Sequence, residues 1–381
     1  MKHRLSRILA RPSIGRWAAP LRTLWQIGGW RPARIPLDAA RSILVIRPDK
    51  IGDVILTGPF LRGLRRAARN ARIALVVQTA NHELVEHCPY VDAVYSLNFA
   101  GHSNGDRVRL RLAALRKRLS RLPLCGFDIV LLPRRDADWY DSRIIGHLFA
   151  GRGALVIHRD VLVKSSSDSP PDPPVAFNVY SNPEIEHEVL HNLRFLRWCG
   201  AKEATDSRLE FWFSNMDRHF AANILTAGRK YVSFGTGAGH SARCWPIDRF
   251  AAIDSWMRDR YGLVPVLLGA AGDPGFDGSL NLIGRTTLRQ AAAVIERCSL
   301  FVGNDSGLKH IAAAVGVPVV EVSGFRIGGD SNHPNSPLRF HAWGVPQRVV
   351  QPSAGPGALV IEEVTVDAVR IACAECLLES A

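Results

Sequence analysis

Short apolar runs rich in β-branched side chains recur along this chain, separated by stretches with helical spacing. The first, Ser42–Arg47 (SILVIR), is apolar throughout rather than alternating, as a parallel strand covered on both faces requires. A loop at Pro48–Gly52 follows, then a helical pattern from Asp53 to Arg69. Ile73–Gln78, Ala93–Leu97, Ile129–Leu132 and Ala154–His158 predict further strands, with helices between them such as the arginine-rich Arg107–Arg121. Residues 164–183 (KSSSDSPPDPPVAFNVYSNP) are rich in Ser, Pro and Asp and predict a loop or linker. After a helix over Glu184–Cys199, closed by Gly200, the alternation begins again. Its strands are expected at Tyr231–Phe234, Val264–Leu268, Leu282–Ile283, Leu300–Val302 and Val319–Val322. Its helices are expected at Arg249–Tyr261, Thr287–Arg297 and Leu308–Val315, with a last helix over Ile361–Leu378. The pattern predicts an α/β protein with two Rossmann-like, doubly wound parallel-sheet domains. Their strands would direct their carboxyl ends at a central cleft.

A length of 381 residues agrees with two cores, and 47% hydrophobic with 22% charged residues describes a globular chain. The formal net charge of +13 narrows the partners to anions: a phosphorylated ligand, an acidic membrane surface or nucleic acid. Nucleic acid is disfavoured, because no zinc-finger spacing, basic zipper or aromatic RNA-binding signature is present. Seven scattered cysteines fit reduced thiols better than a disulfide framework, and Cys373 and Cys376 read as two thiols on one helix face. No apolar run approaches the roughly 18–20 residues that span a bilayer. Residues 1–41 hold Trp17, Trp25 and Trp30 among many arginines and a single acid, Asp38. Such a segment is either a cationic interfacial anchor or a plain basic extension. Arg and Pro interrupt every candidate apolar stretch of a cleaved signal peptide.

Three segments carry candidate chemistry. In Leu300–Val320 an expected strand runs into Gly303-Asn304-Asp305-Ser306-Gly307, and a helix opens there. The free N–H groups and dipole of such a terminus bind phosphate, Ser306 adds a hydroxyl, Gly307 admits close approach, and His310 lies one turn on. Asp305 or Ser306 acting only as a helix cap is the competing reading. In Ile43–Arg65, Asp53 follows Gly52 where a strand's loop turns into a helix, placing a carboxylate at the sheet's carboxyl edge. It could take a proton from an attacking hydroxyl, or merely cap the helix. Arg47 and Lys50 flank that loop and are candidates for holding an anionic acceptor. In Tyr231–Pro246, Gly235, Gly237 and Gly239 form G-x-G-x-G after a strand, one residue short of the dinucleotide fingerprint. Backbone there, Thr236 and Arg243 could meet a diphosphate, with Arg243 as a surface charge the alternative.

No metal site is expected. The D-x-D of Asp136 and Asp138 follows Arg134 and Arg135 and reads better as a self-paired charged loop, and His187 with His191 as surface histidines without a third ligand.

Gly52-Asp53-Val54 and Pro59 within Ile43–Leu64, then Arg243, Trp245 and Pro246, then Asp305-Ser306-Gly307 through His310 to Gly316 and Pro318 share an order and spacing. Together they resemble glycosyltransferase family 9, the ADP-heptose:lipopolysaccharide heptosyltransferases, over residues 42–324; the last motif is the specific one. The resemblance implies a GT-B architecture and inverting transfer that needs neither metal nor other cofactor. By it, Asp53 is the general base; Asp305, Ser306, Gly307 and His310 contact the nucleotide sugar; Thr236, Gly237 and Arg243 lie at its diphosphate. The implied organisation is a basic extension (1–41), an acceptor-binding domain (42–200), a nucleotide-sugar domain (201–360) and a terminal helix (361–381). The implied partners are ADP-heptose or a related donor and an anionic lipid-linked saccharide such as the lipopolysaccharide core. The implied location is cytoplasmic, with peripheral contact at the inner membrane left open. A family member using another nucleotide sugar for a different surface glycan, and a non-catalytic nucleotide-sugar-binding protein, are the alternatives. This chain departs from the family in Arg243, usually a lysine, in Lys309, often an uncharged residue, and in the loop after Gly324 (FRIGGDSNHPNSPLRF).

Overall fold

The computed structural model describes residues 35–97, 126–133, 154–158, 178–180, 184–331, 333, 336–355 and 360–379. The expected helix at Arg107–Arg121, the Asp136/Asp138 pair and most of the basic N-terminal segment lie outside them.

Strands β1 (Ser42–Arg47), β2 (Arg72–Gln78), β3 (Ala93–Leu97), β4 (Ile129–Leu132), β5 (Ala154–His158) and β6 (Asn178–Tyr180) form the first sheet, in the order β3-β2-β1-β4-β5-β6. Strands β7 (Tyr231–Gly235), β8 (Val264–Leu268), β9 (Leu280–Asn281), β10 (Cys298–Asn304), β11 (Val319–Val322) and β12 (Gln347–Val350) form the second, in the order β12-β11-β10-β7-β8-β9. Every pairing is parallel. Renumbered from its own start, the second sheet repeats the order of the first. In each, the winding direction reverses between two central strands, β1 and β4 in one and β7 and β10 in the other. At such a reversal neighbouring connections leave on opposite faces and open a crevice at the carboxyl ends of the strands.

The helices are α1 (Ile51–Leu56), α2 (Gly58–Ala67), α3 (His82–Val85), α4 (Glu188–Trp198), α5 (Asn215–Ile224), α6 (Ile247–Tyr261), α7 (Leu288–Ile295), α8 (Gly307–Ala314), α9 (Pro337–Phe340) and α10 (Val366–Glu379). The single helix expected from Asp53 to Arg69 is two, broken at Thr57. Pro59 has no N–H for the Ile55 carbonyl, so the ladder cannot continue through it. The Thr57 hydroxyl instead donates to the Asp53 carbonyl at 2.7 Å. The strand expected at Leu282–Ile283 forms two residues earlier. Part of the expected linker, Asn178–Tyr180, pairs with the sheet edge as β6. The last helix is preceded by a separate 3-10 turn at Ile361–Glu363.

One apolar core runs from the first domain through the junction into the inner face of the second, joining Ile43, Val45, Leu64 and Leu196 to Val266, Phe301 and Ile311. Another lies between the outer face of the second sheet and helices α6 and α10, around Phe234, Phe250, Met257, Val369, Cys373 and Cys376. Past α4 the chain crosses to the second sheet along 200–213. Arg62 of α2 grips this crossing through Asp206 at 3.0 Å, Glu210 at 2.7 Å and the Arg208 carbonyl at 2.7 Å. No helix among the described residues is long and apolar enough to cross a membrane.

Candidate active site

Asp53 stands in the first turn of α1, just past the carboxyl end of central strand β1, and its side chain is 26% exposed. Lys50, at the N-cap of the same helix, is exposed. Arg47 corrects the expectation that it faces an anionic acceptor: only 1% of it is exposed. As the last residue of a central strand it turns between the layers. There it ion-pairs with Glu188 at 2.7 Å, Asp49 at 3.2 Å and Asp53 at 3.5 Å, and donates to the Pro133 carbonyl.

Across the junction, β7 and β10 end side by side, with Gly235 in register with Gly303. Buried Asn304 ties the loops above them together: its amide donates to the Thr236 carbonyl at 2.7 Å and its carbonyl oxygen accepts from the Trp245 N–H at 3.0 Å. Trp245 is anchored in the outer core, where its indole donates to Val364 at 2.9 Å. That anchor fixes the turn at Ser241–Arg243 and brings the Arg243 guanidinium to 3.3 Å from Asp305. The hydroxyl expected from Thr236 is committed elsewhere: the residue is fully buried and donates to the Pro274 carbonyl at 2.5 Å. Gly237 is required by close packing, since a Cβ there would stand 2.1 Å from the Asp273 carboxylate.

Helix α8 opens directly beyond β10. Its N-cap Ser306 is extended and makes no side-chain capping bond, so capping does not account for this serine. Its Oγ is buried without a hydrogen-bond partner among the described residues. Asp305 accepts from Lys309 at 2.6 Å, and Lys309, 1% exposed, also lies 2.7 Å from Glu321 on β11. Burial would raise the Asp305 carboxyl, but Lys309 and Arg243 hold it below the usual carboxylate range. Burial pushes Glu321 up to about 7 despite Lys309. Burial, with Lys309 adding to it, depresses His310 well below the ordinary imidazole range, so the ring is neutral.

The two halves meet at these same helix ends. A Cβ on Gly52 would stand 2.5 Å from the His310 ring, and one on Gly307 would stand 2.7 Å from Ile51. The N-terminus of α1 and the N-terminus of α8 therefore pack reciprocally, each through a glycine that admits the other's side chain. Asp53 follows Gly52 and is thereby set beside the helix that carries His310. Two further contacts close the junction. Arg289 of α7 pairs with Glu86, whose neighbour Glu83 accepts from the Leu288 N–H at 3.1 Å. His187 stacks on Trp343 at 4.4 Å between ring centroids and bonds the His341 carbonyl at 3.0 Å. His187 and His191 are both buried, 4% and 0% exposed, and neither is the surface histidine expected.

Residues 177–326 match the family model described as glycosyltransferase family 9 (heptosyltransferase). Over that stretch the chain is similar to glycosyltransferase family 9. It is 24% identical over 290 residues to lipopolysaccharide heptosyltransferase 3 of Escherichia coli, covering 72% of this chain and 79% of that protein. A shorter match to the E. coli heptosyltransferase 2 is 33% identical over 114 residues, 26% of this chain and 32% of the relative. Among solved structures, a family 9 glycosyltransferase from Veillonella parvula superposes with a TM-score of 0.72 at 20% identity, covering 91% of this chain and all of that one. An E. coli heptosyltransferase solved with ADP gives 0.64 at 18% identity, over 89% and 100% of the two chains. These likenesses make the two-sheet architecture GT-B.

In this glycosyltransferase several polar residues at the strand ends have no place in the sequence reading. Asn304, Glu188 and Glu321 are fully buried or nearly so. Asn304 sits inside the quoted motif, and its position as the last residue of a central strand was the available signal. Glu188 opens α4, far in sequence from Arg47, and Glu321 lies in β11, the strand that follows α8; no local pattern marks either. Among the described residues no group of three or more His, Cys, Asp or Glu side chains is arranged to hold a metal ion.

Proposed function

We propose that this glycosyltransferase transfers heptose, or a closely related sugar, from ADP-heptose to an anionic saccharide of the lipopolysaccharide-core type, with inversion and without a metal ion. The observation that carries this reading is the reciprocal junction, which sets a partly exposed carboxylate of the first domain beside the uncapped N-terminus of α8 in the second. A diphosphate at that terminus meets backbone N–H groups at the positive end of a helix, with Arg243 at its edge. The acceptor oxygen attacks the anomeric carbon from the face opposite the diphosphate, and Asp53 takes its proton. The bond from carbon to phosphate oxygen breaks with its electron pair on the leaving diphosphate, where Arg243 and the helix terminus stabilise the new charge. Asp305 is already paired to two cations and acts by holding Arg243 rather than by touching phosphate. Lys50, exposed at the α1 N-cap, takes the role at the acceptor that Arg47 cannot. The relatives' names, which specify lipopolysaccharide and ADP-heptose chemistry, support the choice of donor and acceptor. The net charge of +13 agrees with work at the anionic cytoplasmic face of the inner membrane.

The test is transfer from ADP-heptose to a core acceptor in EDTA, comparing wild type with Asp53→Asn. A fall in kcat of about 100-fold or more is expected in the variant, the usual contribution of a general base, with KM little changed. EDTA should leave the wild type unaffected. Undiminished turnover by Asp53→Asn removes the base, and strict metal dependence overturns the chemistry. A panel of nucleotide sugars read by thermal shift separates ADP-heptose from other donors.

A further inference from the structure

Arg47 presents one buried cation to three carboxylates, and it does so unequally. Nη1 donates to Pro133, Nε lies 3.2 Å from Asp49, and Nη2 is divided between Glu188 at 2.7 Å and Asp53 at 3.5 Å. Glu188, 2% exposed on the first turn of α4, has the tight contact, and Asp53, partly open to the cleft, has the loose one. A guanidinium held closely by one carboxylate orients a second without neutralising it fully, whereas a lone buried cation would clamp the base and hold its electrons back.

We propose that Arg47 and Glu188 are positioning residues for Asp53: Glu188 holds the guanidinium and absorbs most of its field, so that Asp53 is aimed yet remains basic. The inference rests on Asp53 being the general base. Other charged groups around the set are Asp49 and Lys50 of the β1–α1 loop, His191 of α4 with Glu186 just before it, and Arg339 of α9. Burial alone would raise the Glu188 carboxyl, but Arg47, then His191 and Arg339, hold it below the usual range, so it is anionic where the mechanism needs it. Arg339 is 2% exposed and comes from the loop in which this chain departs from its family. The second domain thus acts on the carboxylate that holds Arg47, which ties the orientation of the base to the seating of that loop.

The experiment is the pH profile of kcat and KM for Glu188→Gln, with Asp53→Asn run alongside. Glutamine keeps the shape and removes the competing charge, so Nη2 closes on Asp53 and stabilises its carboxylate. The acid limb of the kcat profile should move down by about one pH unit, kcat on the plateau should fall by about tenfold, and KM should stay within about twofold. Should Glu188→Gln fail to fold, Arg47→Lys is read in its place. Lysine's single ammonium cannot serve both carboxylates, and kcat should fall at unchanged KM. An unmoved acid limb in a folded Glu188→Gln overturns the proposal, as does a raised KM at unchanged kcat in either variant. If Asp53→Asn is inactive while Glu188→Gln behaves as wild type, only this inference falls. If Asp53→Asn keeps full turnover, the assignment of the base falls first.

Discussion

Asp305 places a negative charge at the mouth of a helix that we assign to a diphosphate, and the structure resolves the conflict through its partners. Lys309 and Arg243 both lie against it, so the group facing the proposed donor site is a carboxylate balanced by two cations, one of them an arginine. Asp305→Ala should free Arg243 and leave Lys309 with Glu321 alone. The expected outcome is a rise of about tenfold in the donor KM, read in initial-rate kinetics, with kcat also reduced because the leaving diphosphate loses an oriented cation. Arg243→Lys should lose less than Arg243→Ala, since it keeps the charge and gives up the fork. The placements of Asp53, Arg243 and His310 were legible because each follows a recognisable strand by a fixed number of residues. The directions of Arg47 and Thr236 were not. A side chain at a strand end turns to the cleft or to the layers according to what packs beside it. For these two the deciding groups, Glu188 and Pro274, are remote in sequence.

Helices α1 and α8 meet end to end, and the fit depends on two positions lacking a Cβ. Gly307→Ala would drive a methyl into Ile51, and Gly52→Ala would drive one into the His310 ring. Both should lower kcat/KM by more than about tenfold, because displacing reacting groups by an ångström is enough for that. Ile51→Ala placed in the Gly307→Ala background should restore much of the loss by returning the space. No recovery in that double variant, measured by the same kinetics, would show that the junction does not set the approach of the two domains. Most elements were readable from hydrophobic runs alone: β1, β3, β4, β8 and β11 form at the residues expected. The failures have local causes. Pro59 divides one helical pattern into α1 and α2. Helix α5 begins at a capping box of Ser214 and Asp217, a signal present in the sequence but set against a weakly apolar stretch. Strand β12, every residue of it half-buried at a sheet edge, lacks the apolar run that identified its neighbours.

Considered whole, the molecule is two copies of one winding scheme held face to face by a partly polar junction. His187, His310 and His341 lie there, and burial depresses all three, His187 to about 3. Below an ordinary imidazole value of about 6.5 the unfolded chain takes up protons that these rings refuse, so their contribution is intact above about 6.5 and is lost as pH falls below it, down to about 3 for His187. For His187 this adds up to about 1.4 kcal/mol of destabilisation per pH unit within that window. Glu321 works in the opposite sense, since its carboxyl is raised to about 7 and its stabilising effect is lost as pH rises through that value. With three groups against one, the melting temperature should fall between pH 7 and pH 5, and His187→Gln should make the fall shallower. A melting temperature that rises on acidification would contradict this.

The most direct test of the account is a structure with an unreactive ADP-sugar bound. The diphosphate should lie at the N-terminus of α8, within hydrogen-bond reach of the Gly307 amide and the Arg243 guanidinium, with the anomeric carbon open towards Asp53. A diphosphate bound away from that terminus, or an Asp53 carboxylate on the same side of the sugar as the leaving group, would contradict it.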